Sequence, residues 1–314
     1  MIAIRVHRFG GPDELHVEQT PIPNPQPGEA LVRVHAAGVG PWDALVRSGN
    51  SGIAQALPLT PGSDIAGVVE RVCGDSTSIA AGDEVFGVTN AAFTGGYAQY
   101  AVAELRSLAR KPKSIGFVES ASVPVVAVTA WKMLFEHAHL TAGQSVLVIG
   151  GAGNVGAYAV QLASWAGAHV TAVGSGQDAP YMKSRGATAT IDYQTQRLEE
   201  SVAGVDVVID TTGGDSQKRA LGVLKAGGIL VSSVSQPSEA DARKYGVRAA
   251  FFIVDVPRAE LERIAGLIDD GILKTDLGAV LPLSSARTAH EMLAGTVDHP
   301  RGKIVLDTML QGHY

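Results

Sequence analysis

The sequence predicts a two-part α/β protein, a turn-rich β domain followed by a doubly wound parallel sheet. Up to about residue 110, the runs MIAIRV, ALVRVHAAGV, IAGVVERV, DEVFGV and YAQYAVA are separated by Gly, Pro and Asp clusters, the grammar of short strands and turns. From residue 139, apolar strands alternate with helical periods: HLTAGQSVLVIG, GNVGAYAVQLASWAGA, HVTAVG, VDVVIDTTGG and GGILVSSVS. Strands that alternate with helices make a parallel sheet, and 314 residues suit two domains better than one.

In chain order, MIAIRV opens the first strand, and the Pro-rich PIPNPQPGE at 21–29 is an extended loop. ASVPVVAVTAWKMLF is the longest apolar stretch. Pro124, Thr129 and Lys132 interrupt it, and it falls short of the roughly 20 residues of a membrane span, so it is read as a helix packed between domains. RAAFFIVDV is a further strand and PRAELERIAGLIDDGIL a helix with Pro257 in its first turn, and RGKIVLDT returns to β character.

Composition narrows the function. The 37 glycines fit many tight loops. A net charge of −6 without a basic cluster argues against a nucleic-acid footprint, which needs concentrated Lys and Arg, and favours small molecules as partners. Cys73 is the one cysteine, so no intramolecular disulfide forms, and the N-terminus carries no apolar signal core. A cytoplasmic protein is expected.

The chemistry concentrates where SVLVIG runs into Gly151-Ala152-Gly153-Asn154-Val155-Gly156 and then an apolar helix. This is G-x-G-x-x-G in a strand-turn-helix setting. Gly151 permits the tight turn, Gly153 lets backbone approach a pyrophosphate, and Gly156 allows close helix-strand packing, while the helix N-terminus offers amide donors to phosphate. A site for NAD usually ends its second strand in Asp or Glu, which accepts from the ribose hydroxyl. Here that strand ends in Gly174-Ser175-Gly176, which favours NADPH, and Asp178 is read as an exposed loop residue. Lys183, Arg185 and Tyr193 are candidates to meet the extra phosphate. Zinc sites need clustered Cys and His; one Cys and nine scattered His, with His137 and His139 read as surface or capping residues, predict no metal.

These motifs resemble the medium-chain dehydrogenase/reductase superfamily over essentially the whole chain. The resemblance rests on AAGVGPWDALVRSG at 36–49, LPLTPGSDIAGVV at 57–69, GDEVFG at 82–87, GGYAQYAVA at 95–103, ASVPVVAVTAW at 121–131, the Gly151–Gly156 turn, VDVVIDTTGG at 205–214 and RGKIVL at 301–306. Zinc alcohol dehydrogenases carry a ligand Cys in the segment matching AAGVGPWD and Gly-His-Glu where this chain has Gly62-Ser63-Asp64. The chain therefore resembles the zinc-free branch, closest in character to the quinone oxidoreductases.

The resemblance implies a GroES-like β domain, 1–117 completed by 257–314, a Rossmann nucleotide domain over 118–256, an active site in the interdomain cleft, and a homodimer. Carried over by position, Thr129 would lie near the nicotinamide ribose, and Gly153, Asn154 and Val155 at the pyrophosphate. Ser175 and Tyr193 would meet the adenosine phosphate, Val234, Ser235, Phe252 and Val254 the nicotinamide side, and Lys303 the cofactor. The implied reaction is hydride transfer from NADPH to a quinone or an α,β-unsaturated carbonyl, with the protein supplying orientation and donors to the developing oxygen. Cleft-lining candidates are Trp42, Asp43, Phe93 and Tyr97, with Tyr97 as donor; Asp43 and Asp64 are also read as loop braces, and Trp42 as an apolar wall for a flat substrate. Two rival readings stand beside this one, an enoyl-thioester reductase and an NADPH-binding sensor or structural protein with little turnover.

Overall fold

The computed structural model describes residues 1–74 and 78–310. The chain divides into two compact units, Met1–Val125 with Asp255–Tyr314, and Val126–Val254. In chain order the first unit holds β1 (Ile2–Arg5), β2 (His16–Gln19), β3 (Glu29–Val39), α1 (Pro41–Ser48), β4 (Asp64–Cys73), β5 (Glu84–Val88), β6 (Tyr100–Glu104), β7 (Leu108–Arg110) and α2 (Phe117–Ala121). α3 (Pro124–Trp131) leads into the second unit, which holds β8 (Ser145–Ile149), α4 (Asn154–Trp165), β9 (His169–Gly174), α5 (Ala179–Ser184), β10 (Ala189–Asp192), α6 (Leu198–Ser201), β11 (Val205–Asp210), α7 (Gly214–Leu221), β12 (Leu224–Ser232), α8 (Glu239–Tyr245) and β13 (Arg248–Phe251). The chain then returns to the first unit with α9 (Arg258–Asp269), β14 (Leu277–Pro282), α10 (Ala286–Leu293) and β15 (Lys303–Asp307).

The first unit is built on a sheet ordered β14-β15-β3-β4-β5-β7, with β6 also on β3, and β15 pairs antiparallel to β3. The C-terminal tail thus completes the N-terminal sheet. Its core gathers Ile4, Val32, Val34, Ile65, Val85, Leu108 and Leu306, all at most 2% exposed. The expected junction after residue 117 falls inside α2, which belongs with this unit because it packs on β3, β4 and β15.

The second unit is a six-stranded sheet, β10-β9-β8-β11-β12-β13, with every pair parallel. The chain starts in the middle at β8, winds outward to β10, then crosses to β11 and winds the other way. Between β8 and β11 the strand order reverses, and ligands bind at such a point, beyond the carboxyl ends of the strands. The long apolar stretch of the sequence becomes α3 followed by a π-helical turn at Lys132–His137. No helix among the described residues is long and apolar enough to cross a membrane.

Candidate functional site

In the second unit, three loops meet at the carboxyl end of the sheet. The first follows β8. A Cβ on Gly156 would stand 2.0 Å from the Gly150 carbonyl oxygen, so only glycine lets the first turn of α4 close onto the strand end. At Gly153, the N-cap of α4, an added Cβ would meet only the Gly150 oxygen, at 3.3 Å. The space over its backbone is open, no side chain caps the helix and its first turn holds no acid, so the leading amides are available to an anion. These are the features a pyrophosphate requires, and the turn fits a dinucleotide.

The second and third loops are tied together by Asp210, which ends β11 and is fully buried. Its Oδ1 accepts from the Gly213 amide (2.9 Å) and the Thr212 amide (3.1 Å). Its Oδ2 accepts from Ser232 Oγ (2.8 Å) and Gln217 Nε2 (2.9 Å), and the same amide of Gln217 reaches the Ser235 carbonyl at 3.0 Å. Thr211 Oγ1 donates to the Ile149 carbonyl at 2.7 Å, which joins this cluster to the end of β8. Asp210 therefore fixes the loop carrying Val234 and Ser235. Sequence reasoning reads DTTGG only as a strand end and turn; the missed signal is an Asp that closes an apolar strand, with an amide seven residues on.

Thr129 is buried on α3, Val234 is about half exposed and Tyr193 is exposed beyond β10. Phe252 stacks on His137, with ring centroids 4.2 Å apart. His137 is thus a half-buried partner of Phe252 rather than a surface or capping residue, and burial lowers its pKa. Lys183 is exposed on α5. Ser175 is buried, and its hydroxyl donates to Asp178 Oδ2 at 2.6 Å. Asp178, expected as an exposed loop residue, has turned back onto the end of β9.

The first unit holds a buried cluster of charge. Lys303 Nζ lies 2.9 Å from Asp64 Oδ2, both side chains 4% exposed, and Asp64 Oδ1 accepts the Val125 amide at 3.0 Å. Asp43 caps α1 by accepting the Gly40 amide at 2.8 Å, and Tyr97 donates its hydroxyl to the same oxygen at 2.9 Å. Tyr97 is wholly enclosed, with Gly62 against its ring and His290 edge-on at 5.8 Å. It does not line an opening as expected; it holds Asp43. Likewise the Lys303 ammonium is committed to Asp64, and both acids act as loop braces. Trp42 packs on the core and tilts against Phe93 at 5.5 Å, so two rings form one apolar wall.

Burial pushes the Asp43 carboxyl up to about 7, although the Lys303 charge opposes the shift. Burial lowers His290 to about 3, and the Arg47 charge adds to this. The signs of the linkage differ. Asp43 contributes stability that is complete below its unfolded pKa of 3.8 and is lost as pH rises through about 7. For His290 the fold weakens as pH falls from its unfolded value of 6.5 towards about 3. Across the acidic window where both operate the slopes oppose one another. Asp43→Asn removes one of them. Urea unfolding of the variant is expected to lose stability on acidification about 1 kcal/mol per pH unit more steeply than the parent; equal slopes would contradict the burial of a titrating Asp43.

Among the described residues, no three of His, Cys, Asp and Glu come together as a metal-ligand set.

Comparison with known proteins agrees with this geometry. A family model described as alcohol dehydrogenase GroES-like domain matches residues 26–113, and one described as zinc-binding dehydrogenase matches 185–306. A quinone oxidoreductase of Mus musculus is 33% identical over 310 residues, 93% of each chain, and one of Pongo abelii is 31% identical over 309 residues, again 93% of each. The chain belongs to the zinc-free quinone oxidoreductase family of medium-chain dehydrogenases/reductases. Among solved structures, the quinone oxidoreductase from Coxiella burnetii superposes with a TM-score of 0.91 at 30% identity, covering 98% of this chain and 99% of that one. The Escherichia coli quinone oxidoreductase complexed with NADPH gives 0.88 at 26%, covering 98% and 100%. The family therefore supplies the GroES-like and nucleotide-binding domains that the two sheets represent, and makes this chain an NAD(P)H-dependent oxidoreductase.

Proposed function

We propose that this protein reduces a quinone or an α,β-unsaturated carbonyl with a reduced nicotinamide dinucleotide, without zinc. The observation that carries the reading is the Gly150–Gly156 turn, where Gly156 closes the helix onto the strand and Gly153 leaves backbone open at the leading amides of α4. When bound, the dinucleotide supplies a hydride, which adds to the quinone or to the β-carbon of the enone, and a proton completes the reduction. The residues of this chain bind and orient. Gly153, Asn154 and Val155 hold the pyrophosphate, and the loop fixed by Asp210 presents Val234 and Ser235 to the nicotinamide side. The apolar wall of Trp42 and Phe93 suits a flat acceptor, and relatives bearing the name quinone oxidoreductase support that class. The expected preference for NADPH rests on a strand end without a carboxylate, and Asp178 supplies one there.

The test is nicotinamide oxidation by chelator-treated protein against a benzoquinone, phenanthrenequinone, an alkenal, a cyclic enone and crotonyl-CoA. Turnover with a quinone or enone is expected. Turnover only with the thioester would make the protein an enoyl-thioester reductase, and binding without turnover a sensor or structural protein. We also propose a cytoplasmic homodimer joined through the second units. β13 is an edge strand of a parallel sheet, paired on one side only. Light scattering is expected to give the mass of two chains, and the mass of one would contradict it.

A further inference from the structure

The end of β9 carries a feature the family reading does not account for. Ser175 Oγ donates to Asp178 Oδ2 at 2.6 Å, and the Asp178 amide returns to the Ser175 carbonyl at 2.9 Å. Asp178 stands at the N-cap of α5, yet its side chain makes no capping bond, because it is directed at the strand end. A second carboxylate stands close by. Asp192 closes β10, the neighbouring strand, and is held by the Gln194 amide at 3.0 Å and Thr195 Oγ1 at 3.0 Å. Its Oδ2 lies 2.7 Å from where a Cβ on Gly176 would be. Gly174–Gly176 therefore runs between two acids.

In a sheet of this topology the adenosine ribose reaches the end of the strand that follows the glycine-rich helix, here β9. A carboxylate there accepts from ribose hydroxyls. A phosphate on that ribose has no such donor to offer at neutral pH and brings up to two negative charges against the acids. Arg185 lies over the Tyr181 ring at 5.1 Å, and Lys183 is exposed towards the far end of α5.

We propose that Asp178 is a specificity-determining residue that makes this chain select NADH over NADPH. The inference rests on the dinucleotide reading above and names its cofactor. Equilibrium binding of each dinucleotide, followed by calorimetry without any acceptor, tests it. NADH is expected to bind roughly tenfold or more tightly than NADPH, and Asp178→Asn to narrow that ratio by roughly tenfold, through weaker NADH binding and tighter NADPH binding. A melting temperature close to the parent's shows that the variant is folded, and Asp178→Ser replaces it if it is not. Tighter NADPH binding by the parent, or an unchanged ratio in the variant, overturns the inference while leaving the reductase reading intact. Binding of neither dinucleotide by the parent overturns both.

Discussion

Lys303→Met is expected to destabilise the first unit by about 3–5 kcal/mol, the cost of leaving one member of a buried ion pair without its partner. Asp64 and Lys303 are both 4% exposed, and Asp64 also accepts the Val125 amide. Removing the ammonium leaves a carboxylate that water cannot reach. The double variant Lys303→Met with Asp64→Asn is expected to recover most of the loss, because Asn is uncharged and still offers an oxygen to Val125. Chemical denaturation of parent, single and double variants reads this directly. Equal losses in the single and double variants would show that the pair is not the source of the stability. The arrangement also explains why β15, at the end of the chain, returns to the first sheet: its first residue supplies the cation for an acid at the start of β4.

The second large effect separates two glycines of one motif. Gly153→Ala is expected to leave the stability of the dinucleotide-free protein within about 0.5 kcal/mol, since its φ of −79° suits any residue and the added methyl meets only one atom within 4 Å. It is expected to weaken dinucleotide binding by roughly tenfold or more, because the methyl occupies the approach to the pyrophosphate. Gly156→Ala should do the reverse, losing several kcal/mol of stability as its methyl is driven towards a carbonyl oxygen 2.0 Å away. Melting curves with and without dinucleotide distinguish the two. If Gly153→Ala binds as the parent does, the pyrophosphate does not lie at this turn.

Much of this was legible in the sequence because period and punctuation determined it. The alternation from residue 139 became six parallel strands, and RGKIVLDT became the strand that completes the first sheet. What was hidden depends on side chains that meet across long separations. Tyr97 and Asp43 are 54 residues apart, and Lys303 and Asp64 are 239 apart. No local pattern announces that Tyr97 holds a brace rather than facing an opening. Asp178 was hidden differently. It stands only three residues from Ser175, but whether a loop carboxylate turns to solvent or back to the strand is decided by the turn at Gly176, not by composition.

The proposed reaction is direct hydride transfer from a bound dinucleotide to a quinone or enone, with no metal taking part. A single-turnover experiment with chelator-treated protein tests it most directly, using dinucleotide deuterated at one or the other C4 position of the nicotinamide and the best acceptor of the panel. Nicotinamide bleaching in step with acceptor reduction, slowed by deuterium at one of the two positions only, is the predicted result. Bleaching that deuterium at neither position slows, or that appears only when zinc is added, would contradict it.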